Sequence, residues 1–359
     1  MGKLNFNECS KLFKEENFSL LDNIDGDRYL KLRSLSRSKY IKDLLNEFNI
    51  DTNNMKVKDQ LFNAFNSSIS TLEIEEFIRK VYLQERLIRK SKEKEIVNEL
   101  YKLKVFDWGG LHQNSLEKTI VNNYIKKIDN FEKLEQSIDN DLQSSLRGYT
   151  LCSWYNHWSS ILIEDIFKDH PRILPALGLI SKVDFFIDNS PYDLKVTYLP
   201  EGFITEQRKL HDLKSELTLL KAEAKNNSIP IDPKLNNSQQ ITELWTKLEE
   251  FSKNNTQIIE LKLFRMKIIN NIKENPNELI KWLYENQGIR RFDASNRFFI
   301  VLVNTSNFFE GWKMKRAIPL IKEKTASLLD MNKEIGRDIE FNWEDKIFKV
   351  KSDLLLISN

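Results

Sequence analysis

The chain has 359 residues, 40% hydrophobic and 30% charged, enough apolar material for a large core, which excludes wholesale disorder. Its 55 basic residues exceed the 53 acidic ones by only two, so a nucleic-acid surface can come only from clustering and not from net charge. The two cysteines, Cys9 and Cys152, fit neither a zinc spacing nor a disulfide framework and point to a reducing cytoplasm, and no window approaches the about 20 apolar residues of a membrane span.

In chain order, the first 147 residues read almost entirely as helix, with amphipathic runs clearest over 27–48, 71–103 and 115–128. Asp-Trp-Gly-Gly at 107–110 breaks that pattern, and Asn114 with Ser115 offers a helix cap after it. A helix over 149–168 runs into His170-Pro171, with Leu151, Trp154, Trp158, Ile161 and Leu162 as its expected core stripe. A hairpin follows: 183–187 and 192–198 are rich in β-branched and aromatic residues, and Asp-Asn-Ser-Pro between them is a cluster of turn formers. Helices are expected over 203–225, 238–272 and 277–287. Residues 297–304, RFFIVLVN, form a nearly continuous apolar run, the mark of a strand buried on both faces. A helix over 312–329 and a closing hairpin around Glu344-Asp345 complete the order. The class is α/β or α+β, with the few strands gathered into one sheet after residue 180.

Alternation along the second strand of the first hairpin puts Asp193, Lys195 and Thr197 on one face and Leu194, Val196 and Tyr198 on the other. Charges on a strand flanked by apolar runs need partners or a metal. On the preceding helix His157 and Glu164, seven apart, share nearly one face, so that helix can lay Glu164 against the charged side of the hairpin. Glu164, Asp184 and Asp193 are hard oxygen donors of the kind that suits Mg²⁺, and Lys195 beside them could position an attacking water and offset charge on a phosphorus. On spacing alone, a cross-strand salt bridge between Asp193 and Lys195 on a solvated face explains the pattern equally well.

These residues resemble the PD-(D/E)xK nuclease superfamily, and within it the type II restriction endonucleases: Val183-Asp184 opens one strand, Asp193-Leu194-Lys195 lies on the next, and Glu164 is on the helix before. Val183 stands where proline is common, and Asp193 where glutamate is more frequent. The resemblance implies that residues 148–359 form a catalytic core, a small mixed sheet flanked by helices, with a helical insertion at about 203–275. It implies that Asp184 and Asp193 bind Mg²⁺, for which Mn²⁺ can substitute, that Glu164 supports the metal or its water, and that Lys195 is the catalytic lysine. Residues 1–147 lie outside the resemblance and are expected to serve recognition or dimerisation.

Basic residues Arg28, Arg33 and Arg37, in DRYLKLRSLSRSKYIKD, cluster as a phosphate-contacting surface would. Gln207 and Arg208 after the hairpin, and Gln287, Arg290 and Arg291 before the apolar strand, carry amides and guanidinium forks suited to base edges and phosphates. Each of them could equally be a solvated or helix-capping residue. His112 and His157 belong to no H-E-x-x-H or HNH-type cluster, and no glycine-rich phosphate loop is present, so no nucleotide cofactor is expected. The expected function is a cytoplasmic, metal-dependent endonuclease cutting double-stranded DNA as a homodimer. A repair or defence nuclease on structured or modified DNA, and a non-catalytic helical interaction protein, are the alternatives.

Overall fold

A computed structural model describes residues 3–107, 116–180, 182–252, 254–287, 294–331 and 334–359. The fold is α+β: one six-stranded mixed sheet in the order β1-β2-β3-β4-β6-β5, with helices on both faces and a helical N-terminal region. Helices α1 (Phe6–Lys14), α2 (Ile24–Ser34), α3 (Ser38–Glu47), α4 (Val57–Asn66) and α5 (Thr71–Leu100) precede the sheet. The run 27–48 is two helices and not one. Ser34, Ser36 and Ser38 compete with helical hydrogen bonding, Leu35 is buried between the helices, and Arg37 is extended. Helix α5 starts on a capping box, the Ser70 hydroxyl accepting from the Glu73 amide while Glu73 accepts from the Ser70 amide.

Short helices α6 (Leu116–Ile120) and α7 (Phe131–Ser137) are each followed by a π turn and lead into α8 (Gln143–Lys168), which starts earlier than the sequence pattern suggests. Its buried residues are Cys152, Tyr155, Ser159, Leu162, Ile163, Asp165 and Phe167: of the expected stripe Leu162 is buried, Trp158 and Ile161 are half-buried, and Leu151 and Trp154 are exposed. Small Cys152 and Ser159 let the helix approach closely, which the larger side chains on the neighbouring stripe would prevent. Next comes a strand that the sequence pattern hides, β1 (Ile173–Ile180), interrupted by Pro175 and Gly178 and tolerated because it is the sheet edge. β2 (Val183–Ile187) and β3 (Ser190–Tyr198) form the expected hairpin, its turn reduced to Asp188 and Asn189, both with positive φ as a type I′ turn requires.

The helical stretch 203–225 divides into α9 (Glu201–Leu210) and α10 (Glu216–Asn226) where Asp212 adopts φ 54° and Ser215 caps the second helix. Likewise 238–272 divides into α11 (Asn237–Phe251) and α12 (Thr256–Glu274), the latter capped by Asn255. Helix α13 (Asn277–Glu285) leads to β4 (Arg297–Val303), buried throughout. A 3₁₀ segment and α14 (Ile318–Met331) replace the single helix expected over 312–329. The closing hairpin is β5 (Arg337–Trp343) and β6 (Lys346–Ser358), turning through Glu344 and Asp345, and β6 also pairs in parallel with β4.

The pleat of β4 sorts the two main cores. Phe298, Ile300 and Leu302 face α8 and α14, whereas Phe299, Val301 and Val303 face α9, α12 and α13. Helices α9 and α12 therefore cover the sheet itself, and α10 and α11 pack as a satellite on α12. The N-terminal helices bury Leu174, Ala176, Leu177, Ile180, Val183 and Phe186 of β1 and β2, so residues 6–82 share a core with the sheet edge. Both cysteines are buried and free, and among the described residues no helix is long and apolar enough to cross a membrane.

Candidate active site

Asp184 and Asp193 lie where the first hairpin opens. β2 and β3 pair through Ile187–Ser190, Phe186–Pro191 and Phe185–Tyr192, and the same register carried one step on sets Asp184 opposite Asp193. There β3 changes partner. The Asp193 amide donates to the Asn296 carbonyl at 3.0 Å, and from Asp193–Arg297 onward β3 runs parallel to β4. The Leu194 amide, left without a β2 carbonyl, donates to Asp184 Oδ2 at 2.8 Å. A splayed fork thus carries one carboxylate on each tine, on one face of the sheet.

Asp193 is 5% exposed, and Lys195 Nζ sits 2.7 Å from its Oδ1 and 2.6 Å from its Oδ2. Arg297 Nε, at the start of β4, stands 3.8 Å from Oδ2. Since the Asp193 side chain is 8% exposed and that of Lys195 46%, this is a buried carboxylate under an accessible ammonium, not a surface pair. Burial pushes the Asp184 carboxyl up to about 6; the nearby Glu164 and Asp193 charges add to the rise, and the Leu194 amide opposes it.

Glu164 enters differently from expectation. Helix α8 packs Phe167 on Phe185 and Phe298, the face opposite to Asp193 and Lys195, because even and odd residues of each strand part to different sides. Glu164 therefore reaches Asp184 around the fork through its charge, and its carboxylate accepts from Lys168 Nζ at 3.0 Å. Lys168, one turn on from Glu164, is a site residue that sequence reasoning passed over, although the i,i+4 spacing was available. Glu164, Lys168, Asp184, His157, Arg37 and Arg89 line one cleft of about 470 Å³ between the N-terminal helices and the sheet edge. The α8 wall of this cleft is held by α5: Arg89 grips Asp165 through Nε at 2.9 Å and Nη2 at 2.8 Å, and Arg86 grips Asp169 through Nε and Nη2, both at 2.9 Å.

Two carboxylates at a fork, with a third negative charge nearby, are a donor set suited to a hard divalent cation that keeps waters and takes substrate oxygens. Among the described residues no group of three or more His, Cys, Asp or Glu is gathered to hold a metal ion, so a fit rests on Asp184 and Asp193 as the pair.

The expected DNA-contacting residues divide. Arg37 is exposed at the cleft, its Nη1 donating to the Tyr40 hydroxyl at 3.3 Å. Arg28 donates to the Phe65 and Ala64 carbonyls at 3.0 and 2.8 Å, closing the end of α4, and Arg33 lies 5.7 Å over the Phe13 ring. Arg208 is buried over Phe264 with Nε on the Lys214 carbonyl at 2.7 Å, and Gln207 beside it is buried too. Gln287 is half-buried, and Arg290, Arg291 and His112 lie outside the described residues. His157 is exposed at the cleft.

No family model, no curated protein and no solved structure matches this chain.

Proposed function

We propose that this chain is a divalent-metal-dependent endonuclease acting on double-stranded DNA, of the restriction type. The observation that carries the reading is the fork, which puts Asp184 opposite Asp193 with Lys195 lying across the second carboxylate. Asp184 and Asp193 would hold the cation, Mg²⁺ or Mn²⁺. When bound, it would supply Lewis-acid polarisation of the phosphodiester and a lowered pKa for bound water.

The chain's own residues account for the rest. Asp193 fixes Lys195, whose partly exposed ammonium is free to meet a phosphate oxygen and offset the charge that grows there. Glu164 adds a negative charge beside Asp184, which raises the gain from bringing a cation to that carboxylate. Arg37, on the far wall of the cleft, supplies a positive charge for a flanking phosphate. Each site faces one strand, so a two-fold pair of chains is the simplest way to cut both.

The test is Mg²⁺-dependent digestion of unmethylated phage DNA by the wild type and by Asp184→Ala, Asp193→Ala and Lys195→Ala, with melting temperatures recorded alongside. Losing the lysine should cost about 10² to 10³ in rate while duplex binding persists. Losing either aspartate should abolish cleavage. Discrete fragments identify sequence-specific restriction, and cleavage confined to structured or modified DNA identifies the repair or defence alternative. Unimpaired cleavage by a folded Asp184→Ala or Lys195→Ala protein would end the reading.

A further inference from the structure

We propose that the cavity where α9, α12 and α13 meet binds an alkylammonium ion, a primary amine carried on a short aliphatic chain. The cavity measures about 240 Å³, and the buried side chains Phe203, Ile268 and Ile272 form its apolar lining. Gln207, Glu274 and Glu278 line it as well. They arrive from three helices because the chain turns there: α12 ends at Glu274, Pro276 stops it, and α13 starts at Asn277 and packs Trp282 on Phe203 of α9.

The polar groups of this cavity have no partner in the protein. Gln207 is only 9% exposed, and among the described residues its side-chain amide makes no hydrogen bond, so the part of it left open faces the cavity. A buried amide without a partner costs stability, and nothing else at this position offsets that cost. Glu274 is the last residue of α12, where the helix dipole disfavours an acid. Glu278, in the first turn of α13, sits at a helix end that favours it, yet among the described residues neither glutamate is in an ion pair. The basic side chains next in sequence are engaged elsewhere: Lys273 Nζ donates to Ser358 Oγ at 3.2 Å, and Arg208 Nε donates to the Lys214 carbonyl at 2.7 Å.

Charge, donor geometry and shape select the occupant. Glu274 and Glu278 are the only ionisable side chains among the described residues that line the cavity, so it repels phosphate and takes a cation. Two carboxylates and one amide fall short of the about 6 to 8 oxygens that Ca²⁺ takes, and the apolar lining cannot supply the rest. A guanidinium presents a flat fork to one carboxylate, whereas an ammonium directs three N–H donors apart, which suits single acceptors on separate helices. Phe203, Ile268 and Ile272 then cover the aliphatic chain as apolar surfaces cover a lysine stem. At about 30 Å³ each the cavity has room for about eight waters, and so for a short chain and its head group.

The test is isothermal titration of the full chain with 1,4-diaminobutane, and it needs no cleavage assay, so it is independent of the proposed activity. Binding should be saturable and one to one. Tetramethylammonium, which has the charge but no N–H donor, and Mg²⁺ should each bind about tenfold more weakly or less. Nα-acetyl-lysine amide separates the sources of the ion: tighter binding of the diamine assigns the site to free amines, and tighter binding of the lysine derivative assigns it to a lysine side chain. Glu274→Gln/Glu278→Gln, which keeps the size and removes both charges, should weaken diamine binding by about tenfold or more. Gln207→Leu should weaken it similarly while the melting temperature holds or rises, because an amide without a partner is replaced by an apolar group of similar size. No saturable binding, equal binding of tetramethylammonium or Mg²⁺, or wild-type affinity in the folded glutamate variant would each overturn the proposal. So would a Gln207→Leu protein that melts lower and binds the diamine as before.

Discussion

At the residue scale, the hairpin charges were legible because their geometry is local. Period-two alternation is enough to bring Lys195 to Asp193, and a two-residue turn fixes Asp184 opposite. Arg28 and Lys31 were not legible, since the Arg28 acceptors and two of the three Lys31 partners are remote in sequence. Lys31 is buried between Asp27, Glu75 and the turn residue Asn189, and Arg28 closes a helix 36 residues on, so both serve the fold where a basic run suggested phosphate contacts. Asp184 yields a prediction with a definite sign. Its folded-state pKa is raised to about 6, so the protonated form is favoured on folding, and the advantage present below the unfolded value of 3.8 is lost as pH rises through 6. In EDTA the wild type should lose stability between pH 4 and 7. Asp184→Asn, which stays neutral and keeps an acceptor for the Leu194 amide, should be flatter over that range and more stable at pH 7.5 by about 3 kcal/mol, at 1.36 kcal/mol per pKa unit. Thermal melts across that range decide it, and parallel curves for the two proteins would refute it.

At the element scale, strongly periodic segments were read well, and interrupted ones were not. β1 escaped because Pro175 and Gly178 argue against a strand unless the strand is known to be an edge, and edge position is a property of the assembled sheet. Long helical patterns were over-joined where an asparagine, aspartate or serine starts a new helix with no change in apolar spacing, as at Ser215 and Asn255. Helix α8 was placed correctly but on the opposite sheet face, because both of its neighbouring stripes are apolar and only packing against Phe185 and Phe298 chooses between them. What holds α8 is the buried ionic clamp from α5. Arg86, 6% exposed, bridges Glu93, Asp165 and Asp169, so Arg86→Ala removes the cation that Asp169 and Glu93 share while Asp165 keeps Arg89, and should destabilise the fold by about 1 to 3 kcal/mol. Denaturant unfolding measures this, and adding Asp169→Ala should cost much less than the sum of the two single changes.

At the scale of the whole molecule, the N-terminal helices are one wall of the candidate cleft and not an appended arm, because they share a core with β1 and β2. This separates residues that one basic run had grouped. Arg37→Ala should weaken binding to all duplexes and reduce the log-log salt slope by about 0.9, the loss of one phosphate contact. Arg28→Ala should lower the melting temperature and leave that slope unchanged, since its guanidinium closes α4. Fluorescence anisotropy over a salt series distinguishes the two, and equal slopes for Arg37→Ala and wild type would place phosphate recognition elsewhere.

The position of β6 has a consequence for the order of folding. β4 is apolar along its whole length, and its flank away from β3 is covered only by β6, with Arg297 aligned to Ser352, 55 residues later. Until β6 docks, β4 is an open, hydrophobic edge of the kind that recruits other chains. The Asp193–Lys195 pair takes its neighbour Arg297 from that same strand. An emerging polypeptide therefore carries its hairpin charges well before the last strand that closes the sheet beside β4 has been made.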